Sequence, residues 1–134
     1  MTQKYTVSFS KLFAANFAQF TESDQDKVLD FTEKFEEHGL ADFANYPGKV
    51  SKSWANIDQS DANYVYAKAN NLWHYHVGIP HYTTRHGKYQ TSDWVLHFQW
   101  EYGTPHIHIV DMHYHYTRDG IFYLPDLKFF EKSA

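Results

Sequence analysis

Tyr5, Val7 and Phe9 alternate with Thr6, Ser8 and Ser10 at the head of the chain, a two-residue period that predicts a strand. The period then lengthens. Phe13, Phe17 and Phe20 recur at helical spacing behind Ser10, whose hydroxyl suits an N-cap. Thr21 or Ser23 opens a second helix, with Glu22, Asp24 and Asp26 at the positive end of its dipole. Val28, Phe31 and Phe35 form its apolar stripe, and Gly39 after His38 stops it. Over 41–63 no period holds: Pro47-Gly48 marks a turn, and Asn56, Asp58, Ser60, Asp61 and Asn63 a solvated loop. Residues 64–68 read as a short strand before a turn at Asn70-Asn71. Period two returns at 72–77, 94–100 and 106–116, with an irregular excursion at 78–93 and a turn at 101–105. Arg118-Asp119-Gly120 makes a last turn ahead of a strand at 121–124.

This order predicts a single α+β domain over 1–134. An N-terminal strand and a helical hairpin pack on an antiparallel sheet, β-α-α-β-β-β, with one helical layer on one face. Parity assigns the faces, because side chains alternate across a strand. Trp73, Tyr75 and Val77 point to the core, as do Trp94, Leu96, Phe98 and Trp100. That leaves His74, His76, His97 and Gln99 on the exposed side. In HIHIVDMHYHY (106–116), His106, His108, Val110, Met112, Tyr114 and Tyr116 share one parity. Ile107, Ile109, Asp111, His113 and His115 share the other. Ile107 and Ile109 belong in a core, yet two histidines continue their face. Either a bulge near Asp111-Met112 switches parity, or one face passes from core to cleft along its length.

Composition narrows the chemistry. Aromatics make up 19% of the chain, which favours a sheet-rich core. Cysteine is absent, which excludes disulfides and thiolate metal sites. A net charge of −4 argues against tight nonspecific nucleic-acid binding by a generally basic surface, though not against a local basic cleft. No apolar run approaches the roughly 20 residues of a membrane helix and no N-terminal signal pattern occurs, so a cytoplasmic protein without a membrane partner is expected.

The ten histidines allow three readings. His-x-His pairs at 74–76, 106–108 and 113–115, with Asp111 as carboxylate, have the spacing for one transition-metal ion. Imidazoles also suit acid–base catalysis near neutral pH. Least specifically, they are amphipathic rings on a sheet face. Trp73, Tyr75, Trp94, Phe98, Trp100 and Tyr114 would line a small-molecule pocket, but such a set of rings is more often plain core.

The layout resembles the RelE/ParE-like toxins of bacterial toxin–antitoxin systems. PGKVSKSW (47–54), LWHYHVG (72–78), WVLHFQW (94–100) and HIHIVDMHYHY are similar to the second half of that family. In the YoeB-like branch the last strand ends in a His-Tyr pair, which His115-Tyr116 matches by position and His113-Tyr114 less well. The resemblance implies a metal-independent endoribonuclease with no cofactor, acting on RNA or at the ribosome and held in check by an antitoxin. It makes His115 the acid or base and Tyr116 the positioning group, with His76 or His113 as the partner. Arg85, Lys49 and Lys52 become the cations, and Trp73 a substrate contact. The chain departs from the family in its acidic charge, its long segments 55–71 and 79–93, and His74-Tyr75-His76 where the family is Arg-rich. Those departures keep two alternatives open: a noncatalytic domain of the same fold that binds a protein partner, and a metal- or small-molecule-binding domain.

Overall fold

Residues Thr6–Phe9 form β1, and Ser10 turns the chain directly into helix α1, Lys11–Phe17. The computed structural model describes residues 4–40, 42–43, 46–55, 57–79, 82–85, 89–114 and 123–131. Ser10 Oγ accepts from the Phe13 N–H (3.1 Å) and donates to the Val110 carbonyl (3.2 Å), so one buried hydroxyl caps α1 and ties it to the sheet. Ser10→Ala removes both bonds and leaves that carbonyl in the interior. A loss of about 1–2 kcal/mol is expected in urea unfolding, and an unchanged midpoint would refute the double role.

Helix α2 spans Glu22–His38, with Thr21 as its cap and Val28, Phe31, Thr32 and Phe35 buried. It ends at Gly39, whose positive φ of 66° brings its backbone against the Tyr5 ring, where a side chain would collide. The predicted strand–helix–helix opening is therefore present.

Strand β2 is Val50–Lys52. The segment read as a strand at 64–68 is instead part of helix α3, Ala62–Ala69. Asp61 caps it, accepting from the Asn63 N–H at 2.8 Å. The alternation of Tyr64 and Tyr66 was outweighed by that cap and by three alanines, the best helix former. Then follow β3 (Leu72–His76), the hairpin β4 (Thr83–Arg85) and β5 (Tyr89–Thr91), β6 (Trp94–Gln99) and β7 (His106–Tyr114). A 3₁₀ turn at Leu127–Phe130 closes the described chain. The strand expected at 121–124 is not seen in its described part, Tyr123 and Leu124.

The main sheet runs β1-β7-β6-β3-β2. β2, β3, β6 and β7 pair antiparallel as predicted, but β1 lies parallel to β7, so the sheet is mixed. One face carries Trp73, Tyr75, Leu96, Phe98, Ile107 and Ile109 against α1 and α2. Phe31 stacks on Tyr75 with ring centroids 4.5 Å apart.

The other face was expected to be open and is not. Helix α3 and the segment 123–131 lie over it, packing Ala67, Tyr66, Leu124, Phe129 and Phe130 around Leu72 and Val110. The domain thus has three layers, and the histidines assigned to the exposed side are interior: His74 is 5% exposed, His76 7% and His97 0%.

Candidate functional site

A bulge in β7 organises the histidines. Phe98 faces Ile109 while the preceding His97 faces Asp111, so Val110 is the extra residue. Parity switches there. His106, His108 and Val110 before the bulge and Asp111 and His113 after it all point to the second face. The bulge lies one residue before the expected place, and it unites two His groups that a regular strand would separate.

Along the β1 side the polar groups form a directed chain. The Phe130 carbonyl only accepts, so His108 Nε2, 3.0 Å away, carries the proton. His108 Nδ1 then accepts from Ser8 Oγ (2.7 Å), Ser8 accepts from His106 Nε2 (3.1 Å), and His106 Nδ1 accepts from Thr6 Oγ1 (2.7 Å). Parallel pairing makes this possible, because it sets Thr6 beside His106 and Ser8 beside His108. Toward β3, His74 Nδ1 meets Ser53 Oγ at 2.9 Å, and His76 Nδ1 lies 3.0 Å from the backbone N and O of Ser92. Ser92 Oγ also accepts from the Gly78 N–H and donates to the Trp94 carbonyl, pinning both ends of the 79–93 excursion. These imidazoles behave as buried polar groups whose hydrogen bonds are made within the fold.

The end of β7 is different. Asp111 is 5% exposed, and its Oδ1 accepts from the Met112 N–H (2.9 Å) and Oδ2 from the Tyr123 hydroxyl (2.5 Å). Burial pushes the Asp111 carboxyl up from the ordinary carboxylate range against the opposing pull of the Tyr123 hydrogen bond. Burial likewise pushes the Tyr123 hydroxyl up. The Tyr123 ring stacks on His113, centroids 3.7 Å apart and 13° from parallel. His113 is only half-buried, and its Nδ1 donates to the Tyr114 carbonyl at 3.0 Å. Neutral His113 therefore presents the lone pair of Nε2.

A raised folded-state pKa makes Asp111 a pH-dependent liability. Its contribution is intact below the ordinary carboxylate value of 3.8 and is lost as the pH rises through the raised value. Asp111→Asn is thus expected to gain on the wild type in urea midpoint between pH 4 and neutrality. Parallel pH curves for the two proteins would show that Asp111 is not strained by burial.

The register sorts the residues proposed from sequence. Lys49 continues the row His76–Val95–His113, since the His76 N–H bonds the Lys49 carbonyl (3.0 Å), and the β4–β5 hairpin bearing Arg85 emerges at the same end of the sheet. Lys49 and His113 stand three strand spacings apart, roughly 14 Å. Lys52 and Trp73 pair with each other toward the opposite end. Lys52 is exposed, whereas Trp73 is 2% exposed and belongs to the core, so it offers no free face as it stands. His76, 7% exposed, is likewise removed from the surface. His115 and Tyr116 lie outside the described residues, as does the Arg85 side chain.

Sequence reasoning did not single out Tyr123 or Ser92; nothing in local periodicity links them to strands 12 and 16 residues away. Among the described residues no three His, Asp or Glu side chains converge on a point that would hold a metal ion, and no helix is long and apolar enough to cross a membrane. Comparison with family models, curated proteins and solved structures returned no match.

Proposed function

We propose that the chain is an RNA-cleaving enzyme of the RelE type, with its acid–base chemistry at the end of β7. The observation that carries this reading is the state of His113. It is a half-buried imidazole with Nδ1–H committed to a carbonyl and Nε2 without a hydrogen bond among the described residues, beside the Asp111–Tyr123 pair. His113 takes the proton of a ribose 2′-hydroxyl. The 2′-oxygen attacks the adjacent phosphorus and the 5′-oxygen leaves, taking a proton from water, which yields a 2′,3′-cyclic phosphate and a free 5′-hydroxyl; the imidazolium then returns its proton to solvent. The carboxylate of Asp111 favours the imidazolium that forms. Lys49, roughly 14 Å away on the same row, suits a neighbouring phosphate rather than the scissile one. The strand–helix–helix opening followed by later strands, the order on which the resemblance to the RelE/ParE-like toxins rests, supports this reading, while helix α3 is an addition to it.

Expression without an antitoxin is expected to arrest bacterial growth, and the purified chain to cut RNA but not its 2′-deoxy analogue. Normal growth at high expression together with intact RNA would sink the proposal. The burial of His74, His76, His97 and His108 favours the alternative, a noncatalytic domain of this fold that binds a protein partner. Such a domain would leave RNA intact.

A further inference from the structure

At the end of the sheet away from His113, five aromatic rings and one lysine gather on the α1/α2 side. Trp73 and Trp100 are neighbours on β3 and just past β6, with centroids 4.8 Å apart. Trp54 and Phe43 stand edge-on to Trp73 at 5.9 and 6.0 Å. Tyr102, on the turn between β6 and β7, lies over Trp73 at 6.4 Å and within 26° of parallel. Trp100 stands 5.3 Å from Tyr102 and closes the floor between them. Trp73 and Trp100 belong to the core, but two of the rings around them reach the surface: Tyr102 is 78% exposed and Phe43 39%.

Two features separate this corner from ordinary core. The first is a hydrogen-bond mismatch between its two buried indoles. Trp100 Nε1 donates to the Thr104 carbonyl at 2.9 Å, whereas Trp73 Nε1 is buried and finds no acceptor among the described residues. A buried donor without an acceptor carries a desolvation penalty that an incoming acceptor would relieve. The second is Lys52, which faces Trp73 across the β2–β3 pair, is exposed, and forms no ion pair among the described residues.

A ligand for this corner needs a flat ring, a hydrogen-bond acceptor on its edge and a negative charge. A neutral sugar lacks the charge, and an aliphatic ammonium lacks the acceptor and would be repelled by Lys52. A nucleotide has all three. An inserted ring needs about 7 Å between its neighbours, two carbon–carbon contact distances. The Trp73 and Tyr102 centroids stand 6.4 Å apart, so insertion moves Tyr102, which is exposed on a turn beside Gly103 (φ 86°), outward.

We propose that this corner is a base clamp. A nucleobase of single-stranded RNA enters between Trp73 and Tyr102 and accepts a hydrogen bond from the Trp73 indole N–H, while its phosphate meets Lys52. The proposal rests on the ribonuclease reading for the source of the base. Trp73 pairs with Phe98 and His113 with Val95, so the two lie roughly 10 Å apart along β6 and on opposite faces of the sheet, and the clamp grips a different nucleotide from the one cleaved. Base–aromatic stacking tolerates any sequence, so the clamp adds affinity without reading a particular base.

The test uses 2-aminopurine riboside 5′-monophosphate, excited outside tryptophan absorption, with stacking read as quenching of its emission. The wild type is expected to give a saturable quench. Tyr102→Ala should weaken binding about tenfold, and because Tyr102 is exposed that variant should fold normally. Trp73→Phe keeps a ring but removes the donor and should weaken binding several-fold. Lys52→Gln should weaken the nucleotide and leave the free riboside unchanged. No saturable quench, or a quench that Tyr102→Ala does not alter, overturns the clamp. The assay needs no cleavage: saturable, Tyr102-dependent quenching by a protein that leaves RNA intact upholds the clamp and defeats the ribonuclease reading. For an active enzyme, Tyr102→Ala should raise KM at constant kcat.

Discussion

His113→Ala is expected to slow RNA cleavage by about 10²–10⁴-fold, the range over which one positioned acid–base group acts. The argument rests on which nitrogen is available. A carbonyl cannot donate, so the 3.0 Å contact to Tyr114 holds the proton on Nδ1 and leaves the Nε2 lone pair as the base. Stacking on Tyr123, itself fastened to buried Asp111, keeps the ring in one orientation. The same variant should barely disturb the fold, because the ring is half-buried and its stacking contact is worth roughly 0.5–1.5 kcal/mol. Loss of cleavage at nearly constant urea midpoint is therefore the expected pair of results. Cleavage at the wild-type rate would remove His113 from the chemistry and shift attention to His115, whose alanine variant should then relieve growth arrest.

Phe31→Ala should cost about 3–5 kcal/mol, as expected for deleting a fully enclosed aromatic ring. Phe31 is 1% exposed, stacks on Tyr75, and has Tyr46 and Phe98 each 5.5 Å away, so it joins α2 to the middle of the sheet. Surrounding rings on a rigid sheet have little room to collapse into the gap, which places the cost high in that range. Against a total stability of about 5–15 kcal/mol, this removes much of the margin. Leu29, two residues earlier and 40% exposed, is the control: its alanine variant should move the urea midpoint little. A Phe31→Ala midpoint close to that of Leu29→Ala would mean that α2 is not anchored through this ring.

How far the site was legible in the sequence follows from the range of the interactions that build it. Parity in 72–77 and 94–100 identified the core rings correctly, because alternation is imposed by the backbone of each strand. The same parity put His74, His76 and His97 on the right face but could not tell what covers it. A histidine-rich face reads as solvated until a second layer closes over it, and that layer comes from α3 and from residues 123–131. In β7 the bulge at Val110 was one of two open possibilities, since an extra residue in a strand leaves no local mark.

The α+β class, the strand–helix–helix opening, the core faces of β3 and β6 and the antiparallel pairing of the later strands are all present in the order of residues. Each depends on a period of two or 3.6, a cap or a short turn, and these act over a few positions. The parallel place of β1 beside β7 is of another kind, because it joins residues 100 positions apart. So are the burial of the histidine face, the Asp111–Tyr123–His113 stack and the Trp73 indole N–H, which has no acceptor among the described residues. They depend on which layers meet and which hydrogen-bond partners those layers bring. HIHIVDMHYHY thus divides by neighbourhood rather than by composition: His106 and His108 bond into the β1 side of the sheet, and His113 stacks on Tyr123 near the end of β7.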